Sequence, residues 1–140
     1  MSNTVTFTGS LVKDPELHFT SSGKAVTNFT LRVVTGKKAD DADFAPSFFL
    51  DCAAWNGDND HFAENVAESL KDKQRVLVVG RLTSDEWSDK ETGDKRTKLK
   101  MTAQEVGADL TYATVAVTQN ERSGGRQSTQ QKPAANEPSF

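Results

Sequence analysis

The chain has 140 residues, 35% of them hydrophobic, with 17 Lys and Arg against 20 Asp and Glu. That length suits one domain of about 100–120 residues plus a tail, with a core that needs no disulfide staples. The net charge of −3 excludes a protein that holds nucleic acid by bulk positive charge alone.

Val5, Phe7 and Leu11 alternate with Thr4, Thr6, Thr8 and Ser10, which predicts an opening strand with a bulge at Gly9. Asp14-Pro15 breaks it, and Leu17 to Thr20 forms a short second piece before the turn at Ser21-Ser22-Gly23-Lys24. A long strand follows from Ala25 to about Thr35, with Phe29, Leu31 and Val33 on one face and Asn28, Thr30 and Arg32 on the other. Gly36 to Pro46 is polar and reads as an exposed loop. Phe48 to Trp55 is the next strand, ended by Asn56-Gly57-Asp58-Asn59-Asp60.

One segment departs from the β pattern. Phe62, Val66 and Leu70 recur at every fourth position, which predicts an amphipathic helix over His61–Leu70 with Asp60 as N-cap. Arg75 to Thr83 is a β-branched strand, followed by a polar hairpin that contains Trp87 and turns at Glu91-Thr92-Gly93-Asp94. Lys98 to Val106 is the last strand, with Leu99, Met101 and Ala103 on one face and Lys98, Lys100 and Thr102 on the other. Glu105 falls on the apolar side of that alternation, so a bulge or strand end is expected there. Five strands with one helix between the third and fourth give an all-β OB-fold, a small five-stranded Greek-key barrel, over residues 1–118. Residues 119–140 form a low-complexity tail: from Glu121 onward the only large apolar residue is Phe140.

The chemistry-bearing residues are few. Cys52 has no cysteine partner within the chain, and no Cys/His spacing suggests a zinc site. His18 and His61 stand outside any catalytic motif, and glycine-rich phosphate loops are absent. No enzyme and no cofactor are expected. No apolar run reaches ~18 residues, and Met1-Ser2-Asn3-Thr4 lacks a secretory pattern; a soluble cytoplasmic protein with no membrane partner is expected.

The aromatic residues are more informative. Phe49 and Trp55 lie six apart on one strand and share a side with Asp51, while Phe48, Leu50, Cys52 and Ala54 take the core side. Trp87 sits among Ser84, Asp85, Glu86, Ser88 and Asp89, where a core role is hard to arrange. Rings on a wet surface suit base stacking, worth ~1–3 kcal/mol per base and indifferent to sequence. The competing reading places Phe49 and Trp55 in the core of a thin barrel. Arg32, Arg75, Arg81, Lys95, Arg96, Lys98 and Lys100 fall on strand faces or in the hairpin, where they could track phosphates. Strand-edge lysines also guard against edge pairing.

These residues carry a resemblance. Gly9 with Asp14-Pro15-Glu16-Leu17, Ser22 to Val26 with Asn28-Phe29, Phe49 to Trp55, Ala63 to Leu70 and Arg75 to Leu82 together resemble the bacterial single-stranded DNA-binding (SSB) protein family, over about residues 3–116. Ala63 to Leu82 looks closest to actinobacterial members. The resemblance implies an OB-fold assembled as a homotetramer that wraps single-stranded DNA, with stacking positions at Phe49, Trp55 and Trp87. A fourth aromatic position is assigned to Phe44, and the opening strand pairs with its counterpart across a dimer interface. It further implies a nucleoid-associated protein of replication, recombination or repair. The rival is an OB-fold protein-interaction module without a DNA groove.

Two features depart from the family pattern. Asn56 to Asp60 looks like an insertion that brings acid near Trp55. The family's tail commonly ends in an acidic run closing with Pro-Phe, whereas this chain ends Glu137-Pro138-Ser139-Phe140, so tail-mediated recruitment of replication or repair proteins is not carried over. The acidic balance of the body, 14 basic against 18 acidic residues, predicts weaker and more salt-sensitive binding than a basic groove alone.

Overall fold

The computed structural model describes residues 3–121; the tail expected over 119–140, including its Pro-Ser-Phe end, falls almost wholly outside the described residues. The elements run β1 (Thr4–Leu11), β2 (Glu16–Phe19), β3 (Ala25–Val34), β4 (Ser47–Trp55), α1 (Phe62–Ser69), β5 (Arg75–Ser88) and β6 (Lys95–Ala108). β1 pairs with β3 and β5, β3 with β4, β4 with β6 in parallel, and β6 with β5, which closes a five-stranded barrel. β2 is a sixth, edge strand alongside β3. This is the connectivity expected of an OB-fold.

The alternations in β3 and β4 set the inside of the barrel. Phe29, Leu31, Val33, Leu50, Cys52 and Ala54 are buried and join Leu11, Val76, Val78, Met101 and Ala103 in one core. Helix α1 covers one end of the barrel with Ala63 and Val66. There the buried Thr27 hydroxyl donates to the Ala63 carbonyl oxygen at 2.5 Å, so the one buried polar side chain among the described residues is satisfied. Phe48 lies on the core side of β4 but at the barrel rim, where it meets Phe7 edge-on at 5.8 Å and stays partly exposed.

Four local expectations change. Gly9 is not a bulge, since β1 runs in unbroken register along β5 from Thr4 to Ser10. Its small size serves a crossing instead: an added Cβ would stand 2.8 Å from the Arg32 carbonyl oxygen. The helix N-cap is His61, whose side chain makes no capping bond. Two other side chains take the orphan amides: Asp60 Oδ1 accepts from Phe62 N at 2.9 Å and Asn56 Oδ1 from Ala63 N at 2.7 Å. Asn56 N also donates to the Ala25 carbonyl at 3.1 Å, and its Nδ2 to Glu64 Oε1 at 3.0 Å. The polar hairpin is β-structured throughout, so β5 and β6 each reach 14 residues. Beyond Leu82 and before Met101 both arms are fully exposed, which leaves Leu99 at the surface although its alternation matches that of Met101.

The irregularity expected near Glu105 is a bulge. Val79 pairs with Glu105 and Gly80 with Ala103, so Gln104 is the extra residue. The side-chain parity flips there: Met101 and Ala103 face inward before it, and Val106 packs on the core after it. A side chain at Gly80 would overlap the Thr102 carbonyl oxygen. Gly80→Ala therefore destabilises the fold by about 2–3 kcal/mol, read as a lowered urea midpoint. The Cys52 thiol is buried and free, and burial, with the negative charge of Asp51 beside it, pushes its pKa up to about 12. A thiol reagent at mildly alkaline pH will leave Cys52 untouched in the folded protein and label it only as denaturant unfolds the chain.

Candidate nucleic-acid interface

Cross-strand register gathers one outer surface from four strands. Directly paired residues share a face, so Arg32 opposite Phe49, Thr30 opposite Asp51 and Asn28 opposite Ala53 make up its β3–β4 part. Asp51 then stands opposite Lys100 and Ala53 opposite Thr102 in β6. In turn Thr102 faces Arg81, Lys100 faces Thr83, Lys98 faces Asp85 and Arg96 faces Trp87. A groove of about 520 Å³ runs along this surface, lined among others by Lys13, Asn28, Thr30, Trp55, Asp85 and Lys100.

The three rings stand in water. Phe49 is 64% exposed, Trp87 48% and Trp55 39%, which removes the reading of Phe49 and Trp55 as core residues. Trp55 neighbours Val26, and Val26 in turn neighbours His18 on the edge strand β2, so the histidine extends the same row. Phe44 is exposed in the β3–β4 loop, away from any strand register. That loop is closed by Thr35 N and Oγ1, which both donate to the Pro46 carbonyl at 2.8 and 3.2 Å.

Arg32, Arg81, Arg96, Lys98 and Lys100 lie on this face. Lys95 does not: it pairs with Ser88 and so occupies the other side of the hairpin. Arg75 is also set apart, six residues along β5 from Arg81, roughly 20 Å at the usual strand rise. Its Nε donates to Asp109 Oδ2 at 3.0 Å.

What the sequence did not suggest is the carboxylates woven through the cations. Lys98 Nζ meets Asp51 Oδ2 at 2.5 Å, Lys100 Nζ meets Asp85 Oδ2 at 2.9 Å, and Arg96 Nη2 meets Asp89 Oδ2 at 3.2 Å. Asp51 is fixed further by Thr30, whose hydroxyl donates to Oδ1 at 2.7 Å. The hydrogen bonds from Lys98 and Thr30, with the positive charge of Lys98 and Lys100, hold the Asp51 carboxyl below its ordinary value. Strand alternation alone would have put Asp51 beside Phe49, but its partner Lys98 becomes visible only once β4 and β6 are set in parallel register. Among the described residues, no group of three or more His, Cys, Asp or Glu side chains is arranged to hold a metal ion. No helix among them is long and apolar enough to cross a membrane.

Comparison with known proteins agrees with this architecture. The sequence model described as "Single-strand binding protein family" matches residues 2–109. The "Single-stranded DNA-binding protein" of Mycobacterium leprae is 43% identical over 126 residues, covering 87% of this chain and 71% of that protein. "Single-stranded DNA-binding protein 2" of Streptomyces coelicolor is 42% identical over 125 residues, covering 86% of this chain and 59% of the relative. The crystal structure of the small single-stranded DNA-binding protein from Streptomyces coelicolor superposes with a TM-score of 0.65 at 22% identity, over 79% of this chain and 96% of that one, and supports the barrel assignment. With that barrel, those relatives and a family match across the whole β-structured region, the chain belongs to the single-strand binding protein family.

Proposed function

We propose that the protein is a non-enzymatic, sequence-independent binder of single-stranded DNA. In this reading bases stack on Phe49, Trp55 and Trp87 while Arg32, Arg81, Arg96, Lys98 and Lys100 contact phosphates, and Lys95 and Arg75 lie at the margins of the path. The observation that carries it is the single outer surface, built from four strands, that presents three exposed rings and five cations. Such a surface offers every base a π-face and every phosphate a cation without reading base edges. The names of the related proteins point the same way.

The functional unit in this reading is residues 1–118, with 119–140 as an extension, acting on the nucleoid in the cytoplasm during replication, recombination or repair. The dimer contact within a homotetramer is supported by β1. One of its edges is bonded to β5 from Thr4 to Ser10, but the other meets β3 only at Ser10 and Leu11. An edge left open over that length invites pairing with a second copy.

Tryptophan fluorescence, followed at several salt concentrations, tests this directly. Oligo-dT should quench strongly and in a salt-dependent way, oligo-rU less, and an equal-length duplex little. Trp55→Ala and Trp87→Ala should each weaken oligo-dT binding by ~1–3 kcal/mol. An unchanged signal with all three ligands would instead favour a protein-interaction module.

A further inference from the structure

Three of the five cations on the proposed strand-binding surface are already occupied. Lys98, Lys100 and Arg96 each hold an aspartate, at 2.5, 2.9 and 3.2 Å, whereas Arg32 and Arg81 form no ion pair with a described carboxylate. The three aspartates come from separate places in the chain: Asp51 from β4, Asp85 from the β5 arm and Asp89 from the hairpin turn. They are spread along the run of cations and do not form one acidic cluster. A carboxylate offers Lys and Arg the same charge-assisted oxygen acceptors as a phosphate.

We propose that Asp51, Asp85 and Asp89 are intramolecular stand-ins for phosphate, so that a single strand binds by exchanging each carboxylate for a backbone phosphate. Asp51 is the positioning residue of the set, because Thr30 fixes one of its oxygens while the other holds Lys98. This inference rests on the single-strand-binding reading and adds its mechanism. In the free protein each of these lysine and arginine side chains is already tethered by its carboxylate on the outer face, Lys100 at the groove itself.

Exchange has a thermodynamic signature. Each phosphate neutralised on a single strand contributes about 0.7 to the slope of affinity against salt. A carboxylate released by the same event draws in a counterion and cancels part of that release. The salt dependence is therefore shallower than five cations would give, which reverses the expectation drawn from net charge, while the weaker affinity stands.

The test is oligo-dT titration of the full chain across a salt series, with Asp51→Asn, Asp85→Asn, Lys98→Ala and the double variant of Asp51→Asn with Lys98→Ala. Glu86→Gln, on the opposite face of the hairpin by its pairing with Thr97, controls for the loss of a negative charge. Asp51→Asn should bind about two- to fivefold tighter than the wild type, with a salt slope steeper by up to ~0.7, and Asp85→Asn should follow. The Asp51→Asn gain should disappear in the Lys98→Ala background, which a change in the general field would not produce. Thermal unfolding verifies that each variant is folded, and Asp85→Asn carries the test alone if Asp51→Asn is not. If Asp51→Asn and Asp85→Asn behave like Glu86→Gln, or the gain persists without Lys98, the stand-in role is overturned while single-strand binding stands. If the wild type gives no response to oligo-dT, the binding reading itself fails, and the inference with it.

Discussion

The barrel depends on a place where no side chain fits. At Gly80 the β6 backbone passes so near to β5 that a Cβ would overlap the Thr102 carbonyl, and one residue further on β6 takes up the extra Gln104. That bulge lets both halves of β6 put apolar side chains on the same core: Met101 and Ala103 before it, Val106 after it. Without the shift in parity, Glu105 would point inward and carry an unpaired charge into the apolar interior, at a large cost. With it, β5 can lie between β1 and β6 and the sheet closes. Beyond that contact the two arms run on as the hairpin, and on the β6 arm Lys100 stands opposite Asp51 of β4 while Lys98 pairs with the same carboxylate.

Much of this was legible in the sequence, because burial leaves a periodic trace. The alternation of Phe29, Leu31 and Val33 and of Leu50, Cys52 and Ala54 identified the core faces of β3 and β4, and by subtraction the wet faces that carry Arg32, Phe49 and Trp55. The four-residue spacing of Phe62, Val66 and Leu70 located the helix. The outer arms of β5 and β6 left no such trace, since every residue from Thr83 to Ser88 and from Lys95 to Lys100 is exposed. Their strand structure comes from backbone pairing of one arm with the other, which composition does not record. Gly9 shows the same limit: a glycine in a strand signals a special position, but whether bulge or crossing depends on a strand more than twenty residues away.

The electrostatics follow a similar division. Net charge is a sum over the chain, whereas binding responds to the field at one surface. Five cations and three aspartates share that outer face, so cations outnumber those aspartates there although the body as a whole is acidic. Which carboxylate meets which cation is set by the parallel pairing of β4 and β6 and by the hairpin register, both long-range, and neither could be read from local sequence.

The residue that follows Trp55 gives that ring a particular standing. Asn56 is bound through its backbone to Ala25 and through its side chain to the start of the helix and to Glu64, so the main chain at the end of β4 is fastened on two sides. A ligand that stacks on Trp55 meets a ring whose mount was already ordered when the protein folded. Trp87 rides on a hairpin arm with no core beneath it, held only by its pairing with the β6 arm. The two indoles are chemically alike, but their mounts differ, so in the proposed reading stacking on Trp55 uses a site fastened to the core and stacking on Trp87 one carried by strand pairing alone.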